Sequence, residues 1–202
     1  MTLYDFAARL LFPPMLALWR FRVYGRENVP LDGPLIVACN HASYLDPVAL
    51  GVACPRPLSY MAKAELFRIP VLGAAIRAVY AYPVERGKAS ATAGIKRSVE
   101  VLRQGRAVGI FPQGTRVREG EGEARAGVAL LASLGKAPVV PACVWGSGKA
   151  AQLHQVKVAF GPALALPADR KATREEMENF TAEVMAQIVA LAENLKVGNS
   201  KS

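Results

Sequence analysis

No apolar run in this chain approaches the roughly 20 residues that a membrane-crossing helix needs, and no N-terminal segment has the build of a cleaved signal peptide. Its three cysteines, Cys39, Cys54 and Cys143, form no CxxC pair and are odd in number. A disulfide framework is therefore not expected, and packed, reduced thiols in a cytosolic setting are. There is no block of Lys and Arg, no zinc-ligand spacing and no recognition-helix signature, so neither a metal nor a nucleic acid is an expected partner. No segment repeats and no composition break marks a second domain. Histidine is also scarce, with only His41 and His154.

What is present is apolar and basic. Hydrophobic residues make up 52% of the 202, and mean hydropathy is +0.20, which is high for a freely soluble chain. That length suits one domain with a substantial core. Lys and Arg number 25 against 16 for Asp and Glu, a formal net charge of +9. Such a balance favours phosphate-bearing partners, and the raised hydropathy points to anionic lipid among them. The first twenty residues sharpen this. Leu3, Phe6, Leu10 and Leu11 recur at helical spacing, and Pro13-Pro14 interrupts them. A second apolar piece, 15–19, then ends in Arg20 and Arg22. Two short helices hinged at proline, with Tyr4 and Trp19 near their ends, suit the plane of a membrane surface and cannot span it. The expected location is peripheral, on the cytoplasmic face of a membrane.

From Phe21 onward, short apolar runs alternate with helical patterns. Strands are expected at 21–24, 35–39, 58–62, 79–84, 107–111, 139–144 and 156–160. Helices are expected at 46–53, 65–77, 90–104 and 127–134, with Gly105 and Gly135 as stops. A last helix opens at the capping box Thr173-Arg174-Glu175-Glu176 and carries Met177, Phe180, Val184, Ile188, Leu191 and Leu195 on one face. This alternation predicts a single α/β domain with a mixed, largely parallel sheet flanked by helices. Residues 1–20 form the membrane-interface pair, 21–197 the domain and 198–202 a tail. Sites in such sheets form where strands end, and His41, Lys63, Arg86 and Arg116 all follow expected strands.

The stretch Asn40-His41-Ala42-Ser43-Tyr44-Leu45-Asp46-Pro47 carries the clearest chemistry. Imidazole is the side chain best matched to a general base near neutral pH. A carboxylate hydrogen-bonded to one ring nitrogen would fix its tautomer. Within one regular helix, five residues turn through ~500° and hold two side chains apart. A turn through Ala42-Ser43, with Asp46 at the helix start, lets them meet. Ser43 is not needed as a nucleophile. A second stretch, Phe111-Pro112-Gln113-Gly114-Thr115-Arg116, ends in a guanidinium suited to phosphate. His154 and Glu65 read as surface residues.

Taken together, Asn40-His41 with Asp46, Tyr82-Pro83-Val84-Glu85-Arg86, Phe111 to Arg116 and Val139-Val140-Pro141 resemble four ordered blocks of the glycerolipid acyltransferases. That family is typified by the 1-acyl-sn-glycerol-3-phosphate (lysophosphatidate) acyltransferases. The resemblance runs from about Val23 to Pro141. It implies direct transfer of a fatty acyl group from acyl-CoA or acyl carrier protein to the hydroxyl of a lysophospholipid, without a cofactor. His41 would be the base and Asp46 its orienter. Arg116, with Lys63 and Arg86, would bind the acceptor's phosphate, and Gln113, Gly114 and Thr115 would shape the substrate loop. One departure stands out: the family has Glu where this chain has Gln113. That left open another acceptor, such as glycerol-3-phosphate or a lyso-aminolipid, or a non-catalytic lipid-binding role.

Overall fold

In the computed structural model, seven strands form one sheet: β1 (Arg22–Tyr24), β2 (Leu35–Cys39), β3 (Leu58–Lys63), β4 (Tyr82–Val84), β5 (Ala107–Ile110), β6 (Val139–Trp145) and β7 (Lys157–Phe160). The structure describes residues 17, 19–68, 81–84, 88–114, 127–167, 170 and 172–197. Across the sheet the order is β1-β7-β6-β2-β5-β3-β4. All neighbours run parallel except β6 and β7. The expected mixed, largely parallel α/β sheet is what forms. The expected membrane-surface helix pair falls on residues that lie, but for 17, 19 and 20, outside those described, as does the 198–202 tail.

Burial on both faces explains the composition of β2. Every residue of Leu35-Ile36-Val37-Ala38-Cys39 is buried, as a continuous apolar run in a parallel sheet should be. Leu35, Val37 and Cys39 pack with Ala49, Leu50 and Ala53 of α1 (Asp46–Ala53). Ile36 and Ala38 face the other side, toward α2 (Lys88–Arg103), α3 (Gly127–Gly135) and α4 (Arg174–Val197). Among the described residues the sheet is thus a middle layer, with α1 on one face and α2, α3 and α4 on the other.

Local sequence sets the ends of these helices. Gly105 takes a left-handed conformation (φ 70°) and stops α2 as expected. Gly135 does not stop α3 in that way. A Cβ there would lie 2.4 Å from Leu102 Cδ1, so this glycine serves helix packing, and Lys136 takes the left-handed turn instead (φ 46°). The capping box of α4 is formed: the Glu176 amide donates to Thr173 Oγ1 and the Thr173 amide to Glu176 Oε2. Hydrogen bonds from Arg170 and the Thr173 backbone hold the Glu176 carboxyl down at about 2. Phe180, Val184, Ile188 and Leu195 are buried as the helical pattern demanded. Buried Lys157 donates to the carbonyl of Leu195 near the C-terminal end of α4, where helix carbonyls lack partners of their own.

Two expected elements are described only in part. Where a helix was expected from Glu65 to Arg77, the described part is a short 3-10 turn, Ala64–Arg68, and 69–80 lie outside the described residues. The strand before Arg86 is described only as Tyr82–Val84. Tyr82 shares a 2.6 Å hydrogen bond with Ser98 of α2, fastening this edge strand to the helix layer.

Candidate active site

Three neighbouring parallel strands, β6, β2 and β5, end on the same edge of the sheet, and each delivers a polar residue there. Ser147 follows β6, His41 follows β2 and Gln113 follows β5. The strand ends of β3 and β4 share this edge, with Lys63 in register with Val84. Strand C-termini are where α/β sheets place their sites.

His41 and Asp46 meet. His41 Nδ1 lies 2.9 Å from Asp46 Oδ2. The same oxygen accepts the amides of Ala42 and Ser43, each at 2.7 Å, and Ser147 Oγ donates to Oδ1 at 2.5 Å. A carboxylate only accepts, so Nδ1 carries a proton and the remaining ring nitrogen has its lone pair free for a base's work. Exposure separates the two side chains: Asp46 is 0% exposed, the His41 side chain 19%. The carboxylate is sealed and the imidazole is reachable.

Asp46 before Pro47 reads in the sequence as an N-cap followed by the first helical residue, and the local geometry differs from that by one position. Asp46 is the first residue of α1, with Leu45 as the N-cap and Pro47 behind it. Its carboxylate turns back to the amides of the preceding loop and does not cap its own helix. This closes a small ring of backbone around the carboxylate and lets residues five apart touch.

Two side chains pin the rest of the loop. Asn40 carries the sheet pairing one residue beyond β2: its Nδ2 donates to the Val144 carbonyl at 2.9 Å, and its Oδ1 accepts the Val144 amide at 2.8 Å. A side-chain amide thereby imitates a peptide group and fixes where the chain leaves the sheet. On the other side, Gln113 Oε1 accepts the His41 amide at 2.9 Å. The His41 ring stacks on Phe111, centroids 4.2 Å apart, and Phe111 in turn lies over Tyr60.

Gln113 therefore braces the His41 backbone. A glutamate at that position could accept the same amide, so loss of the charge does not dismantle the loop. Gln113→Glu is expected to keep turnover within a few fold. Gln113→Leu leaves the His41 amide without its acceptor and should cost roughly 1–3 kcal/mol of stability. Thermal unfolding of the two variants beside a turnover assay checks both statements.

Of the other expected site residues, Gly114 closes the turn after Phe111, its amide donating to the Phe111 carbonyl at 2.9 Å with φ 69°. Lys63 ends β3 as expected. Thr115, Arg116 and Arg86 lie outside the described residues. His154 departs from the surface reading: it is half-buried, with its ring edge-on to Trp145 at 5.1 Å. All three cysteines are buried and none forms a disulfide among the described residues. Burial pushes the Cys39 thiol well above its ordinary range, the charges of Cys143 and Asp46 add to this, and a Val144 backbone hydrogen bond opposes it. A thiol so placed is a poor nucleophile.

Sequence reasoning missed Ser147. Its signal was the Trp145-Gly146-Ser147 step directly after an apolar strand, the same setting that drew notice at His41.

Comparison with known proteins agrees with this architecture. Residues 20–145 match the family model described as Acyltransferase. The chain is similar to a 1-acyl-sn-glycerol-3-phosphate acyltransferase of Bacillus subtilis (strain 168), 36% identical over 154 residues, which are 76% of this chain and 76% of the relative. A chloroplastic protein of the same description from Brassica napus is 33% identical over 63% of this chain, which spans 38% of that relative's length. Among solved structures, the 1-acyl-sn-glycerophosphate acyltransferase PlsC of Thermotoga maritima superposes with a TM-score of 0.70 at 22% identity. That match covers 97% of this chain and 84% of the other, and shows a shared fold.

Proposed function

This chain belongs to the acyltransferase family, and on that premise we propose that it moves a fatty acyl group from an acyl thioester to the free hydroxyl of lysophosphatidate, giving phosphatidate. The observation that carries the reading is the His41–Asp46 pair, with a sealed carboxylate behind a reachable imidazole.

The chemistry follows from that arrangement. The unprotonated ring nitrogen of His41 takes the proton of the acceptor hydroxyl as its oxygen attacks the thioester carbonyl carbon. Asp46 stabilises the imidazolium that forms. Collapse of the tetrahedral intermediate breaks the carbon–sulfur bond, and the leaving thiolate takes the proton back from His41. One ester forms, one thiol leaves, and no cofactor enters the scheme. Acyl-CoA and acyl carrier protein both present such a thioester.

We assign the acceptor's phosphate to Arg116, with Lys63 and Arg86 as further candidate cations. Each such contact is worth roughly 1.5–3 kcal/mol. The bond from the His41 amide to Gln113 Oε1 supports a bracing role for that residue.

The membrane surface enters through the topology. β1 begins beside β7 at Lys157, which pairs with Trp145 at the end of β6, so Arg22 stands on the active-site edge. The Trp19 carbonyl accepts the Val156 amide at that same edge. The chain thus enters β1 at the same edge of the sheet as His41, three strands away, and on this reading the segment before it rests on an anionic bilayer that supplies the lysolipid. No helix among the described residues is long and apolar enough to cross a membrane.

An acceptor panel tests the reading. With one acyl donor, lysophosphatidate is expected to give the highest kcat/KM, above glycerol-3-phosphate and lyso-aminolipids. Lysophosphatidate ranking last would refute the assignment.

A further inference from the structure

We propose that Ser147 is a positioning residue for acyl transfer, its hydroxyl setting the plane of the Asp46 carboxylate and through it the His41 ring. The proposal rests on the reading of His41 as the base.

The donors to Asp46 fall into two groups. Oδ2 receives only partners from its own loop, namely His41 Nδ1 and the amides of Ala42 and Ser43. Those three place that oxygen but leave the carboxylate free to swing about it. Oδ1 is held by Ser147 alone among the described residues, across 101 positions of sequence. Both residues are buried, at 0% and 2% exposed, so no water competes for this bond. A hydroxyl donating to a carboxylate in such a site is a strong, directional restraint.

The backbone before Ser147 is shaped to deliver it. Gly146 has φ 83°, and a Cβ there would lie 2.1 Å from the Gln155 carbonyl oxygen. Only glycine fits that close approach, and the turn it makes brings Ser147 over Asp46. A serine at the start of a helical turn ordinarily caps it. Here the turn is closed by a backbone bond from the Lys149 amide to the Gly146 carbonyl, and the hydroxyl goes to Asp46. Together with Asn40 bound to Val144, this gives the loop two ties to the β6 segment, one on each side of His41.

Ser147 touches neither the reacting atoms nor the phosphate, so its loss should appear in kcat and not in KM. Ser147→Ala is expected to lower kcat about tenfold to a hundredfold, the range one hydrogen bond to a charged group carries, with both substrates' KM within twofold of the parent. Ser147→Thr keeps the hydroxyl and should recover most of that loss. The downfield proton resonance of the His41–Asp46 hydrogen bond should shift in the alanine variant and return in the threonine variant. Should Ser147→Ala fail to fold, Ser147→Cys, a weaker donor of similar size, must show the same kcat loss. An unchanged kcat and an unmoved resonance would overturn the proposal, as would a loss confined to KM. His41→Ala in the same assay separates the two claims. If it is inactive while Ser147→Ala is normal, only the positioning role falls. If His41→Ala turns over normally, the base assignment falls and this role falls with it.

Discussion

Replacing His41 by alanine is expected to lower acyl transfer by about a hundredfold to ten-thousandfold, the range a positioned general base contributes. The effect should lie in kcat, because the acceptor hydroxyl still binds but has no group to take its proton. The fold should survive. Without the imidazole, Asp46 keeps the amides of Ala42 and Ser43 on one oxygen and Ser147 on the other, so no buried charge loses its whole donor set. The His41 backbone also keeps its hydrogen bond to Gln113. Thermal unfolding, membrane binding and turnover, measured on the same preparation, check each part. A variant that folds, binds membranes and turns over at the parental rate would remove His41 from the chemistry.

The second large effect is at Asp46, where the choice of substitution matters. Asparagine is nearly isosteric. Its oxygen can sit where Oδ2 accepts the two loop amides, and its amide can donate to the Ser147 oxygen, which accepts as readily as it donates. What disappears is the negative charge that stabilises the imidazolium as His41 takes its proton. Asp46→Asn should therefore fold and lose about a thousandfold or more in kcat, as when a charged orienter is made neutral. Asp46→Ala is a different experiment. It leaves the donors of Ala42, Ser43 and Ser147 facing an empty, dry space, and each unsatisfied group costs about 1–3 kcal/mol. Loss of folding is the expected result, so the asparagine variant is the informative one. Circular dichroism with steady-state kinetics distinguishes the two, and an alanine variant as stable as the parent would contradict the network described here.

The elements themselves were legible because they are written in local pattern. The uninterrupted apolar run of β2 and the 3.6-residue face of α4 each announce an element and the side it buries. His41 and Asp46 were legible for a related reason: a turn between strand and helix is a local event, and five residues contain it. Ser147 was not legible. Its partner lies 101 residues away, and nothing in a Gly-Ser step states which strand will stand next to which. The same holds for Asn40, whose part depends on β6 lying beside β2 although three strands intervene in sequence. Gln113 was seen as a departure from a family pattern, but its contact with the His41 backbone was not, because that partner lies on another strand's end. The start of α1 shows a smaller version of this, since a helix-start aspartate usually accepts from the amides ahead of it, and here the amides of the loop behind it donate to its oxygen.

Release of thiol from acyl-CoA and from acyl carrier protein, followed with and without lysophosphatidate alongside phosphatidate formation, tests the central claim most directly. The account predicts release only when the acceptor is present, one phosphatidate for each thiol, and loss of both signals in His41→Ala. Thiol released at the same rate without acceptor would make the protein a thioesterase, and no release with either donor would make it a lipid-binding protein; either result would contradict the account.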